Sequence, residues 1–262
     1  MNTETRTGHL AALVTVLIWG TTFVSTKVLL TRFTPIEILL FRFVLGYLAL
    51  WLVYPRPLRG VTPRRELYFA AAGLCGVCLY YLLENVALTH TTASNVGVIV
   101  SVSPCFTALL TRLTFREGER LRPSFFAGFV LAMAGISLMS FAGSTVELDP
   151  VGDLLAFLAA VCWAVYSVLT RKLGTFGYHD IQVTRRVFCY GILWMLPAVL
   201  AMDVSPDWHG LLDPVLLGNL LYLGLGASAL CFVTWGVAVG KLGTVRTSVY
   251  IYLVPVITVA AS

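Results

Sequence analysis

Charge is what this chain has least of. Asp, Glu, Lys and Arg make up only 12% of its 262 residues, while 58% are hydrophobic. Soluble domains are usually about a quarter charged, and one of this size has too little interior to hide so much apolar surface. The soluble classes are therefore excluded. Long polar linkers are missing as well: the loops are short and marked by Pro55 and Pro57, Pro123, Pro150, Pro206 and Pro214, so nothing separates independent domains. Metal-ligand spacing is also missing, because His9, His90, His179 and His209 are scattered through loops and helix ends. No Ser, His and Asp pattern suggests hydrolysis, and no motif calls for a cofactor. The first hydrophobic run has no small-residue cleavage pattern at its end, so it reads as a retained helix rather than a removed signal peptide.

Two motifs are set aside on context. Cys75 and Cys78 form a CxxC, but a redox motif needs a thioredoxin-like soluble setting. All six cysteines fall within hydrophobic runs and read as small buried side chains. Gly224, Gly226 and Ala229 spell GxGxxA inside an apolar run, without the strand and βαβ unit that a dinucleotide fingerprint requires.

What is present is a series of nine apolar runs, near 10–30, 35–53, 67–88, 93–113, 124–141, 151–170, 185–201, 215–240 and 247–261. A helix needs roughly 20 residues to cross the hydrocarbon core. Barrel strands would alternate apolar and polar residues, and these runs are apolar on every side, so the fold class is an all-α polytopic membrane protein. The net charge of +5 and pI near 9.0 reflect topology rather than a nucleic-acid partner. With the N-terminus in the cytoplasm, 15 of the 18 Lys and Arg residues fall inside, and Lys27, Arg32 and Arg42 are the exceptions. This is the positive-inside pattern.

The chain also repeats itself. Residues 10–50 laid on 154–194, at an offset of 144, pair Trp19 with Trp163, Lys27 with Arg171 and Arg42 with Arg186. At an offset of 151, Val86, Ala87, Pro104 and Thr107 pair with Val237, Ala238, Pro255 and Thr258. Five spans per copy is an odd number, so the second copy enters the bilayer from the opposite side, as in the inverted repeats of secondary transporters. The units are residues 1–142, with helices 1 to 5, and 150–262, with helices 6 to 9. Only seven residues follow Pro255 where about 37 follow Pro104 in the first copy. The pattern thus expects a tenth helix beyond the nine present.

Polar and aromatic residues share helix faces. Trp19, Thr22 and Phe23 stand at i, i+3 and i+4, as do Trp163, Tyr166 and Ser167. Trp usually marks the membrane interface, so a midplane Trp in each repeat points to a cavity wall, with ordinary core packing as the alternative. Tyr80, Tyr81, Glu84 and Asn85 form a polar face on the third run, with Asn95, Ser101 and Ser103 on the fourth. Phe232, Trp235, Tyr250 and Tyr252 are the candidates of the last two runs. Such walls stack on rings or hold an ammonium by cation-π contact. Glu84 and Arg42 are costly in a bilayer and call for a partner, a water path or snorkelling to headgroups; Glu37 and Lys27 are expected nearer the outer surface and solvated. Pro104 and Pro255 each remove a helical hydrogen bond and are candidate hinges. Gly128, Ala132 and Gly135 form a small-residue stripe suited to close packing within the monomer or in a weak dimer.

The sequence resembles the drug/metabolite transporter superfamily and its EamA branch. The resemblance is carried by Ile18, Trp19, Gly20, Thr21, Thr22, Phe23 and Lys27; Pro35, Phe41, Arg42 and Phe43; Asn85, Val86, Ala87 and Leu88; Pro104, Thr107, Ala108, Leu109 and Leu110; Gly118, Glu119 and Arg120; and Gly128 with Gly135. Within the branch it is most similar to the YddG-type exporters of aromatic amino acids. The resemblance implies two five-helix units with a substrate site between them near the midplane, and a peripheral last helix in each unit. It implies export of small metabolites, amino acids with aromatic side chains among them, across a bacterial inner membrane by alternating access. Trp19, Thr22, Tyr80, Tyr81, Glu84, Asn85, Ser101, Trp163, Tyr166, Trp235 and Tyr252 are the candidate substrate-binding residues. An exporter of lipophilic cations is the nearest alternative; an intramembrane enzyme on a lipid-linked substrate would need clustered acids or histidines, which the chain lacks.

Overall fold

The computed structural model describes residues 3–115, 123–141, 149–202, 204 and 210–261. Among these residues the fold is helical throughout. The nine apolar runs become α1 (Thr3–Leu29), α2 (Pro35–Val53), α3 (Pro63–His90), α4 (Ala93–Thr114), α5 (Pro123–Phe141), α6 (Pro150–Gly174), α7 (Asp180–Ala201), α8 (Pro214–Leu242) and α9 (Thr244–Ala261). Helices α1 to α4 and α6 to α9 are each long and apolar enough to cross a membrane. Leucines such as Leu52, Leu131, Leu154 and Leu200 stand exposed on the outside of the bundle, a surface suited to lipid. The family-like Gly118, Glu119 and Arg120, and the basic Arg116 and Arg122, lie outside the described residues.

Helix ends are capped by local chemistry. Thr34 and Glu37 make a reciprocal capping box at the start of α2, with the Thr34 N–H donating to Glu37 Oε2 at 2.8 Å. Glu37 is therefore buried, not solvated as its position near the outer end suggested. Lys27 is likewise engaged: its Nζ donates to the Leu88 and Thr91 carbonyls at the C-terminal end of α3, where cations oppose the helix dipole. Asp149 and Asp213 cap α6 and α8 through their carboxylates. The N–H groups of Gly152 and Val151, with His90 nearby, hold the Asp149 carboxyl below the ordinary aspartate range.

Irregular segments recur at the repeat offset. α3 loosens to a π-helix over Leu74–Leu79, and α8 does so over Tyr222–Leu230, which contains the residues 225–230 that the 151 offset pairs with the first segment. α4 is interrupted at Ser101 and Val102, and α9 tightens to a 3-10 turn over Val249–Tyr252, again equivalent positions. Each interruption lies just ahead of its proline, Pro104 or Pro255. Irregular turns of this kind cluster at functional sites in helices.

Close helix crossings are made by paired glycines. A Cβ on Gly73 of α3 would lie 2.7 Å from the Gly191 nitrogen and from the Val187 carbonyl oxygen of α7. The equivalent crossing of α8 over α2 sets Gly224 against Gly46, whose own Cβ would lie 3.0 Å from the Gly224 oxygen. So Gly46 admits the α8 backbone, and Gly224 of the GxGxxA run makes room for the Leu45 side chain. The stripe on α5 serves no such contact: a Cβ on Gly128 or Gly135 would meet nothing within 4 Å among the described residues. A close approach needs small residues on both helices, and among the described residues none stands opposite these two glycines.

Candidate functional site

The helices form a partly open cavity, about 410 Å³ of empty space counting room open to solvent, walled by Trp19, Thr22 and Phe23 of α1, Tyr80, Tyr81 and Glu84 of α3, Val100 of α4, Trp163 of α6, and Ile251 and Val254 of α9. Elements from both halves of the chain build it. The rings meet edge to face or tilted, as electrostatics of aromatic quadrupoles favours. Trp19 and Trp163 have centroids 5.0 Å apart at 87°, Tyr80 and Trp163 4.9 Å, and Tyr80 and Tyr81 4.7 Å. Trp19 is fixed in place by donating its Nε1 to the Ala227 carbonyl of α8 at 3.0 Å. The buried Nε1 of Trp163 has no acceptor among the described residues, which leaves a donor on the wall.

Sequence reasoning placed six of these residues: Trp19, Thr22, Tyr80, Tyr81, Glu84 and Trp163. Two more candidates form a layer behind them. Trp235 is fully buried with its ring 5.1 Å from Trp19, and Tyr166 packs 5.1 Å from Trp163. Three lie elsewhere. Asn85 donates its amide to the Pro35 carbonyl and ties α3 to the start of α2. Ser101 bonds back to the Gly97 carbonyl at 2.8 Å, within the break of α4. Tyr252 sits in the 3-10 turn of α9 with its hydroxyl buried away from the cavity wall.

Val100, Ile251 and Val254 were missed because they are apolar. A signal was nonetheless present: Val100 stands four residues before Pro104, and Ile251 four before Pro255. Proline has no N–H, so neither carbonyl receives a helical bond from four residues on, and both residues border the cavity. Helices α4 and α9 touch at this wall, where a Cβ on Gly97 would lie 3.6 Å from Pro255 Cβ.

Two charged residues define the electrostatics. Glu84 is 3% exposed and is the one ionisable carboxylate on the wall. Arg42 is fully buried and does not snorkel. Its Nε donates to Ser228 Oγ of α8 at 3.0 Å, and its Cζ lies 4.2 Å from the Tyr81 ring centroid. Nη1 and Nη2 have no acceptor among the described residues. The two charges make no direct ion pair. A second hollow, about 400 Å³ of empty space counting room open to solvent, lies toward the Gly174 and Asp180 ends of α6 and α7, lined by Tyr166, Thr170, Asp180, Thr184, Phe232 and Gly236 among others. Tyr166 and Phe232, which back the first cavity, thus also border the second.

The model of the EamA-like transporter family matches residues 6–141 and again 150–262. The chain belongs to this family. It is 30% identical over 264 residues to an uncharacterised transporter of Archaeoglobus fulgidus, covering 98% of this chain and 88% of that one. It is 29% identical to a probable terminal-alkyne amino-acid exporter of Streptantibioticus cattleyicolor, covering 94% of this chain and 80% of the relative. A probable amino-acid metabolite efflux pump of Escherichia coli is 27% identical, with coverage of 96% and 84%. A solved crystal structure 23% identical in sequence superposes with a TM-score of 0.73 over 96% of this chain and 85% of its own, which speaks to the fold alone. The protein is thus a multi-pass membrane transporter of the EamA-like family.

If the wall binds an aromatic side chain, Trp163→Ala is expected to weaken binding of phenylalanine more than that of alanine. One lost ring contact is worth about 0.5 to 1.5 kcal/mol, a several-fold change. Trp51, which lies under the Arg185 guanidinium at 3.7 Å near the far end of α2, is the control, and its replacement by Ala should leave the substrate ranking unchanged. Equal affinities for wild type and Trp163→Ala would remove the stacking role.

Proposed function

We propose that this transporter exports amino acids, aromatic ones included, from the cytoplasm across a bacterial inner membrane by alternating access between two inverted repeats, residues 1–142 and 150–262. The observation that carries this reading is the aromatic cavity with a single carboxylate, built by helices of both halves. Aromatic walls suit an apolar side chain, and Glu84 suits an ammonium group. The names of the two amino-acid exporting relatives support the same substrate class. Counterflow in proteoliposomes tests it: internal unlabelled phenylalanine should drive accumulation of labelled phenylalanine, and absence of exchange with any amino acid in a panel would overturn the reading.

One observation favours a second reading. The wall carries a carboxylate and no basic side chain, which also suits a lipophilic cation. Tetraphenylphosphonium exchange in the same vesicles, without amino-acid exchange, would select it.

In the proposed cycle, α4 and α9 bend at Pro104 and Pro255, and the Tyr166 and Phe232 layer parts to join the cavity to the second hollow. Paired spin labels across each proline should report different distances with and without substrate; invariant distances in an actively transporting protein would rule the hinges out. Orientation follows from the distribution of basic residues, with the N-terminus and the Arg56 to Arg65 loop in the cytoplasm. Single cysteines placed in that loop should resist membrane-impermeant thiol reagents in intact cells, and ready labelling would reverse the assignment.

A further inference from the structure

We propose that the two free nitrogens of Arg42 are the carboxylate subsite of the cavity, so that the transported molecule is bound as a zwitterion, its ammonium at Glu84 and its carboxylate at Arg42. The inference rests on the export reading and assigns the group that takes the amino acid's carboxylate. The starting point is an anomaly. A guanidinium buried in a membrane bundle is costly, and leaving two of its nitrogens without acceptors adds to the cost. Arg42 is 0% exposed, Nη1 and Nη2 are both unpartnered, and no carboxylate of the described residues comes within ion-pair distance of it. Nε alone is satisfied, by Ser228. What remains is two donors in a fork, the arrangement that accepts a carboxylate bidentately.

The position fits. Tyr81 borders the cavity and carries the guanidinium against its ring at 4.2 Å, while Glu84, one helical turn farther along α3, faces the same cavity. The two groups that hold Arg42 lie in or just after the two loosened segments. Ser228 lies inside the π-helix of α8, and Tyr81 follows closely on the π-helix of α3, which ends at Leu79. A rotamer change of Tyr81, rather than a rotation of the whole segment, takes the ring off the guanidinium and opens Arg42 to the cavity while Glu84 stays on the wall. Tyr81 is then a shutter over a preformed anion site.

The test compares L-phenylalanine with L-phenylalaninamide, which keeps the ammonium and the ring but has no carboxylate. Affinities are measured by titration calorimetry and by inhibition of counterflow, using the full chain. Wild type should prefer the acid by about tenfold or more, the usual worth of a charge-assisted pair. Arg42→Gln should bring the ratio near one by weakening the acid and leaving the amide unchanged. Arg42→Lys keeps a buried cation if Arg42→Gln does not assemble, and should give an intermediate ratio because it lacks the fork. Equal wild-type affinities for acid and amide, or an undiminished ratio in the assembled variants, would overturn the subsite while leaving amino-acid export intact. Failure of wild type to exchange any amino acid would instead overturn the export reading, and the subsite with it.

Discussion

Replacement of Glu84 by Gln is expected to raise the KM for phenylalanine in counterflow by about tenfold to a hundredfold, and to leave 3-phenylpropionate, which has no amine, nearly unaffected. Glu84 is 3% exposed on the wall of the cavity and has no Lys, Arg or His ion-pair partner among the described residues. Its charge is thus available to a ligand. A hydrogen bond between ionised groups is worth about 1.5 to 3 kcal/mol, and each 1.4 kcal/mol is tenfold in affinity. Gln keeps the shape and removes only the charge, so packing against Tyr80 and Tyr81 is retained. Ring stacking supplies less: Trp163→Ala should cost several-fold, and for both ligands alike. The discriminating result is the ratio between the two ligands. If Glu84→Gln lowered both equally, the residue would act through the cavity's shape and not through its charge.

The fold was legible because bilayer hydrocarbon leaves a chain few choices. Every backbone polar group must be satisfied within the segment, so each apolar run became a helix, and boundaries at Pro35, Pro63, Pro123, Pro150 and Pro214 coincide with helix starts, where proline's missing N–H costs nothing. The convergence of Trp19 on Trp163 was legible too, since two residues related by the repeat and placed mid-helix meet near its axis. Individual side chains were harder. Tyr81 and Asn85 share a face of α3 by helical spacing, but the long tyrosine reaches the cavity whereas the Asn85 amide is taken by the Pro35 carbonyl. Ser101 and Tyr252 fall in the interruptions of α4 and α9, where arithmetic based on 3.6 residues per turn fails. The acid and base near the ends of α1 and α2 misled for another reason. Lys27 and Glu37 looked solvated because their depth was counted, whereas their partners, the ends of α3 and α2, come from tertiary packing and local capping.

A methyl added at Gly73 should destabilise the protein, and Gly128→Ala is its matched control. Alanine gains about 1 kcal/mol over glycine in a helix, so both substitutions begin with the same benefit. They differ in what the new methyl meets. At Gly128 nothing stands within 4 Å, so the gain should survive and the unfolding midpoint in detergent should hold or rise. At Gly73 the methyl arrives 2.7 Å from a backbone nitrogen and a backbone oxygen of α7 and 2.8 Å from Tyr190 Cβ. These atoms cannot swing aside as the end of a side chain can, so α3 and α7 must separate. Overpacking costs about 1 to 3 kcal/mol where neighbours adjust, and the separation also loosens the neighbouring Gly191 contact with Val77. The net is a loss, measured as a lower midpoint by size-exclusion chromatography after heating. Gly224→Ala should fall between the two, because its methyl meets the Leu45 side chain, nearest atom 2.6 Å, which can adopt another rotamer. Equal midpoints for Gly73→Ala and Gly128→Ala would mean that the α3 and α7 backbones do not approach as closely as their glycines allow.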